Sequence, residues 1–292
     1  MQPPNCGHCL RPAQTSRIAR ELLEQCRPIN LIGGRGQGRA RLLDDLMGID
    51  PDIFWLYADL KEHRYRFAGL LETLWDQTGL VGYPPSTLGG LVDKLTAGNR
   101  PVCLLLHHFD AILDNPDPNL DAGFDAAFLD TLNALKNRGV SLLCVTRRAY
   151  DPYGMLTRSG ERRGSTLVLE PEALAPLSQA EIRAELDRCL PGLDANDLDL
   201  LAASLLRHRH PLSFLGYVRR RLRDGDVAAW PFDERLSHWE DKYWVRYGGL
   251  TTADAVAPRH RIRSWYRALF GRIKPLSTGP IKQLGRRLAG KD

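Results

Sequence analysis

The segment Ile29-Asn30-Leu31-Ile32-Gly33-Gly34-Arg35-Gly36-Gln37-Gly38-Arg39-Ala40 constrains this chain most. A short apolar run enters a glycine-rich turn. Leu42, Leu43 and Leu46 then recur at helical spacing, so the order is strand, turn, helix. Gly33 to Ala40 has the length and glycine spacing of a phosphate-binding loop, G-x-x-x-x-G-K-[S/T]. In such a loop the glycines let backbone N–H groups turn inward as an anion nest at a helix N-terminus.

Two chemical positions depart from that pattern. The lysine that reaches the β- and γ-phosphates is Arg39, and the Ser/Thr that holds Mg2+ is Ala40, which offers no oxygen. Arginine still contacts phosphate, but its planar fork is not a lysine point charge. The plain alternative is a glycine-rich turn with no ligand; the elements downstream favour the phosphate loop. A dinucleotide fold, hinted at by Gly34-x-Gly36 and an acidic strand end at Asp59, ranks lower. Its third glycine falls at Arg39, where helix and strand must approach closely.

A helix is expected from a cap at Thr15 or Ser16 up to Pro28, after a loose lead-in over residues 1–14. Phe54–Asp59 reads as a second strand, and Phe67–Gln77 and Leu88–Leu95 as helices. The run Pro101-Val-Cys-Leu-Leu-Leu106 suits a strand buried on both faces of a parallel sheet. Phe124, Phe128, Leu132 and Leu135 mark a helix, Ser141–Arg147 another buried strand, and Ser165–Pro171 a last short one. Strands alternating with helices predict an α/β domain with a parallel sheet. After Pro171 the pattern turns helical. Ser178 and Glu181 form a capping-box pair, and helices are expected at 179–189, 195–207 and 211–223. The expected organisation is a lead-in and helix (1–27), a P-loop NTPase-like core (28–172), a helical lid (173–230) and a basic C-terminal extension (231–292).

In P-loop ATPases an apolar strand ends in an Asp that orders Mg2+, often followed by a Glu that polarises water. Here those Walker B positions are His107 and His108. Imidazole is a poor ligand for Mg2+, which prefers oxygen. Asp110 lies two to three residues too late to replace either without a local rearrangement. Adjacent strand residues point to opposite faces, so a shared metal on the two histidines is not expected, and no metal site is assigned.

The chain resembles the STAND branch of AAA+-like ATPases, including the archaeal-ATPase family, over most of residues 29–223. Asn30–Leu43 looks like their phosphate loop and Trp55–Leu60 like their second strand. Cys103–Ile112 stands where they have an apolar run ending in Asp-Glu-Phe-Asp. Phe124–Leu135 looks like the following helix, and Leu142–Arg148 like the sensor strand, with Thr146 and Arg147 sensor-like. Residues 169–182 and 208–218 look like their lid, where His210-Pro211 remain of a Gly-His-Pro turn whose glycine is Arg209. The resemblance implies nucleotide-driven switching and assembly. The departures at Arg39, Ala40, His107 and His108 argue against hydrolysis.

Cys6-Gly-His-Cys9 copies a dithiol spacing, but it precedes any strand and is followed by Pro12. Ordinary reduced thiols are expected there rather than a redox or zinc site. Cys103 and Cys144 sit in apolar runs, which fits a reducing, cytoplasmic setting. No run of about 18 apolar residues implies a transmembrane helix, and the N-terminus lacks a signal-peptide pattern. Asp114, Asp117, Asp121 and Asp125 read as a solvated loop.

The net charge of +5 is uneven. Thr251–Asp292 carries ten Lys/Arg against two Asp/Glu, a net +8, leaving −3 for the rest. Ile262, Trp265, Tyr266, Leu269, Phe270 and Ile273 form a helical stripe backed by Arg261, Arg263, Arg267, Arg272 and Lys274. Protein docking is its first expected use, ahead of nucleic acid, with peripheral membrane contact through helix 261–274 third. Arg219, Arg220, Arg221 and Arg223 end a helix, where the dipole favours cations; a phosphate-contacting patch is the alternative. The sequence as a whole predicts a catalytically degenerate AAA+/STAND-type ATPase acting as a regulatory or scaffolding subunit. Protein partners or a homo-oligomer are expected, with nucleic acid reached through the basic lid and tail. The alternative is a switch that holds ATP or ADP, without well-ordered Mg2+, on Gly33–Arg39, with hydrolysis absent or completed by a partner's residues.

Overall fold

The computed structural model describes residues 9–50, 52–98, 100–113, 119–152, 155–156 and 162–247. The elements run α1 (Pro12–Gln25), β1 (Ile29–Ile32), α2 (Arg39–Met47), β2 (Phe54–Asp59), α3 (Leu60–His63), α4 (Phe67–Asp76), α5 (Leu88–Thr96) and β3 (Val102–His107). They continue with α6 (Asp110–Leu113), α7 (Ala126–Ala134), a 3-10 turn (Leu135–Arg138) and β4 (Val140–Thr146). A small hairpin follows, β5 (Met155–Leu156) with β6 (Arg162–Arg163), and then β7 (Glu170–Ala173). The last helices are α8 (Gln179–Cys189), α9 (Ala195–Arg207), α10 (Pro211–Arg223) and α11 (Phe232–Tyr247).

Five strands form one parallel sheet in the order β2-β3-β4-β1-β7. Alternate residues of each strand point to opposite faces, and two buried clusters result. Leu56, Leu104, Leu106, Leu142 and Cys144 pack with α4, α5 and α7 on one face. Leu31, Cys103, Leu105, Leu143 and Val145 pack with α1 and α2 on the other. This explains why β3 and β4 read as unbroken apolar runs: every residue in both is buried. The expected α/β P-loop sheet with a helical lid is the observed architecture.

The three lid helices begin and end where the periodicity placed them, and the Ser178–Glu181 capping box is formed in both directions. Their core holds Leu186, Leu201, Leu205, Phe214 and Val218 around Trp239 from α11, which is fully buried. The helical core therefore runs past residue 230, through Tyr243.

Three local expectations are corrected. Residues 9–14 are not loose: Leu10 and Arg11 are 1% and 2% exposed, Leu10 within the lid core. Helix α1 starts at Pro12 rather than after Thr15, because proline at the first helical position has no N–H to leave unpaired. The last strand starts at Glu170, not Ser165; Leu167 and Leu169 instead turn into the core beneath α7. The aspartates after β3 also have specific tasks. Asp121 accepts from the Phe67 and Gly123 amides, and Asp125 caps α7. Asp114 and Asp117 lie outside the described residues, as do Cys6 and the whole stripe from Arg261 to Lys274, including Arg263, Trp265, Arg267, Phe270 and Arg272.

Candidate functional site

In an open parallel sheet, ligands bind beyond the carboxyl ends of the strands. Here that rim gathers the phosphate loop after β1, the ends of β2, β3 and β4, and the start of α10.

The loop leaves β1 with the Gly33 amide donating to the Thr146 carbonyl at 3.1 Å. Gly36 (φ +72°) and Gly38 (φ +95°) adopt left-handed conformations that favour glycine. Gly38 then caps α2. Within the loop the Gln37 side-chain oxygen accepts from the Gly34 amide at 2.6 Å. Arg35 is exposed, and so is Ala40 on the first turn of α2.

The lid closes directly on this loop. The Leu212 amide donates to the Gly36 carbonyl at 3.0 Å. A Cβ on Gly36 would lie 2.9 Å from the His210 Cβ, and one on Gly38 would lie 2.6 Å from Leu212 Cδ1. His210 is the N-cap of α10 and Pro211 its first residue, so the His-Pro pair read from the sequence sets the end of α10 that meets the loop. Arg11 fastens the same loop from the other side. Its Nε donates to the Ala175 carbonyl at 2.8 Å and an Nη to the Gln37 carbonyl at 2.7 Å. No motif flags Arg11; only its position beside Pro12 hinted that a helix began there.

Arg39 is the loop's buried cation, 8% exposed. Its Nη1 is buried with no hydrogen-bond partner. Burial lowers its pKa, while Asp110 and Asp59 act in the opposite sense. Asp110 makes an ion pair with Arg147 at 2.7 Å, and its Oδ1 is also buried without a partner. β3 stops at His107, and Asp110 opens α6 within electrostatic reach of Arg39.

Thr146 is committed elsewhere. Its hydroxyl donates to the Arg148 carbonyl at 2.5 Å and accepts from the Asn30 amide nitrogen at 2.8 Å, deep in the sheet. Its single donor is spent on the backbone.

The two histidines differ from expectation. They do not diverge to opposite faces. Their rings stack with centroids 3.9 Å apart and planes 20° apart. The reason is His108, which has left the strand with φ +53°, so strand alternation no longer applies to it. Phe109 returns at once to β4, its amide donating to the Val145 carbonyl at 2.9 Å. His108 Nδ1 meets both Asp59 oxygens, at 2.8 and 3.0 Å. His107, 6% exposed, lies 3.2 Å from the Tyr57 hydroxyl through its Nδ1. Burial, with His108 adding to it, pulls the His107 imidazole down to about 4, so it is neutral at pH 7. Its 3.9 Å approach to Asp59 is therefore no ion pair. Burial and Asp59 push the Tyr57 hydroxyl up to about 12. Sequence reasoning missed Asp59 as a partner here. The available signal was the parallel pairing of β2 with β3, which sets Asp59 level with His107 at their carboxyl ends.

The arginines at the end of α10 divide. Arg219 and Arg220 are exposed. Arg221 lies over the Tyr217 ring at 4.9 Å and pairs with Asp226 at 3.4 Å. Arg223 approaches Asp224 at 3.8 Å. Among the described residues, no helix is long and apolar enough to cross a membrane.

No protein-family model matches the sequence, and no curated protein matches it. Solved structures do. The Aeropyrum pernix ORC2 protein, in ADPNP–ADP complexes, matches with a TM-score of 0.52 at 13% identity, over 90% of this chain and 80% of that one. The Aeropyrum pernix ORC1 protein, in complex with DNA, matches with a TM-score of 0.50 at 18% identity, over 82% and 65%. Drosophila ORC bound to DNA matches with a TM-score of 0.50 at 14% identity, over 82% and 66%. The chain spans just under two thirds of the latter two. At such identities the likeness establishes the fold alone, an α/β P-loop sheet with a helical lid.

Proposed function

We propose that this chain is an AAA+-shaped regulatory or scaffolding subunit that acts through assembly and not through turnover. The end of β3 carries this reading. Where an ATPase sets carboxylates for Mg2+ and water, this chain sets two stacked imidazoles, one against Tyr57 and one against Asp59. Ala40 adds no hydroxyl oxygen. The losses fall at two separate places, the start of α2 and the end of β3. STAND-type ancestry and a cytoplasmic setting belong to the same proposal.

A second reading has its own support: a switch that holds ATP or ADP without hydrolysing it. A buried guanidinium nitrogen with no partner is costly. Arg39 Nη1 is such a group, at the mouth of a glycine nest. A phosphate oxygen would satisfy it.

Partners are proposed by chemistry alone. The exposed Arg219 and Arg220, with the basic tail, suit an acidic protein surface or nucleic acid. Two of the similar structures hold DNA, a fold-level analogy. Equilibrium binding of labelled ATP and ADP, with and without Mg2+, combined with a phosphate-release assay, tests the readings. Binding without release supports the switch. No binding supports the pure scaffold. Steady phosphate release would sink both.

A further inference from the structure

The cluster at the ends of β2 and β3 has a composition that the degenerate-ATPase reading does not use. Asp59, His107 and His108 each present one donor atom, and the three atoms lie within 4.8 Å of one another. We propose that these residues form a binding site for a borderline d-block cation such as Zn2+, pinning the carboxyl ends of β2 and β3 together. The proposal stands whether or not the glycine loop holds nucleotide.

The donor set decides the class of ion. Two imidazoles and one carboxylate suit Zn2+, Co2+ or Ni2+, whereas Mg2+ requires oxygen donors in near-octahedral array. Zn–N and Zn–O bonds of about 2.0–2.2 Å in a tetrahedron place donors about 3.3 Å apart. His108 Nδ1 and Asp59 already meet at 2.8 Å, and His107 Nδ1 lies 3.9 Å from Asp59 Oδ2. The closure required on that side is about half an ångström, and the rings, stacked 3.9 Å apart, must splay so that both nitrogens point at one ion. His108 and Asp59 are partly exposed, Asp59 also capping α3 through the Lys61 amide, while buried His107 supplies the fixed end.

Two observations separate this cluster from an ordinary polar strand end. A histidine is held at φ +53°, a region non-glycine residues seldom occupy, and that turn folds its ring back over its neighbour's. Beside them, Asp110 Oδ1 is buried without any donor, within electrostatic reach of His107. An acceptor without a donor, within electrostatic reach of His107, is one that a cation relieves. Three protein ligands leave the fourth tetrahedral position for water or an anion.

The test uses the full chain with Cys6→Ser and Cys9→Ser, which removes the N-terminal thiols as rival donors. Zn2+ is titrated by calorimetry, and Co2+ is followed by its visible absorption. One equivalent should bind, with Co2+ bands free of thiolate charge transfer, and the thermal midpoint should rise with Zn2+ concentration. His108→Ala and Asp59→Asn, each checked for folding by circular dichroism, should weaken Zn2+ by about 100-fold or more; loss of an outer-shell partner alone costs 10–100-fold. Absence of binding in the chain with Cys6→Ser and Cys9→Ser, or affinity unchanged in both folded variants, overturns the proposal.

Discussion

His107 and His108 are neighbours in sequence, yet their rings stack 3.9 Å apart on one side of the sheet's rim. One residue with a positive φ converts two diverging side chains into a stacked pair, His107 against Tyr57 and His108 against Asp59. The chemistry at this rim follows from that turn and from the closure of the lid on the glycine loop.

Restoring four positions together tests the ancestry of the site. Arg39→Lys, Ala40→Thr, His107→Asp and His108→Glu should produce Mg2+-dependent phosphate release from ATP where the parent shows none. A folded quadruple variant that remains silent would count against the lost-ATPase account.

Arg39→Met should stabilise the nucleotide-free protein, because it removes an unpaired buried donor whose burial costs about 1–3 kcal/mol. The same change should abolish any ATP-induced rise in thermal midpoint. A midpoint that falls without ligand would show that Arg39 is already satisfied.

Gly36→Ala should loosen the lid. The new methyl must occupy a left-handed conformation and crowd His210 and Ser213. The expected cost is about 1–2 kcal/mol. Faster hydrogen exchange at the Leu212 amide, which donates to Gly36, reports it directly; protection equal to the parent's would refute the clamp.

Ser178→Ala should lower stability by about 1 kcal/mol through loss of the α8 capping box, read as a shift in urea midpoint. No shift would mean the first turn of α8 frays in the parent too.

Glu240 gives a pH signature. Burial alone would raise its carboxyl, but hydrogen bonds from His208 and Ser204, with Arg207 nearby, hold it below the ordinary value of 4.5. A carboxyl lowered on folding adds stability above its unfolded pKa and loses it as pH falls through the folded one. The stability gap between the parent and Glu240→Gln should be widest at neutral pH and should close below about pH 4.5. A gap independent of pH would exclude this ionisation.

Much of the fold was legible because periodicity is a local property. The boundaries of α8, α9 and α10, the two fully buried strands and the glycine turn all follow from residue spacing. The errors share a cause. Leu10 and Arg11 looked like a lead-in because their partners, the lid core and the carbonyls of Gln37 and Ala175, lie elsewhere in the chain. Ser165–Leu169 alternates like a strand but is drawn under α7 instead.

The sequence by itself determined a parallel α/β sheet, a glycine-rich turn, a helical lid, and the presence of Arg39, Ala40, His107 and His108 where the phosphate-loop pattern has lysine, hydroxyl and carboxylates. These are set by residue type and spacing, which a linear chain displays. Only the tertiary structure decided that the loop is clamped between Arg11 and α10, that Arg39 is buried with an unpaired nitrogen, and that Asp59 meets one of two stacked histidines. Each of those contacts joins residues separated by many positions or depends on one backbone dihedral. Sheet register and a single left-handed turn, rather than local preference, bring them together.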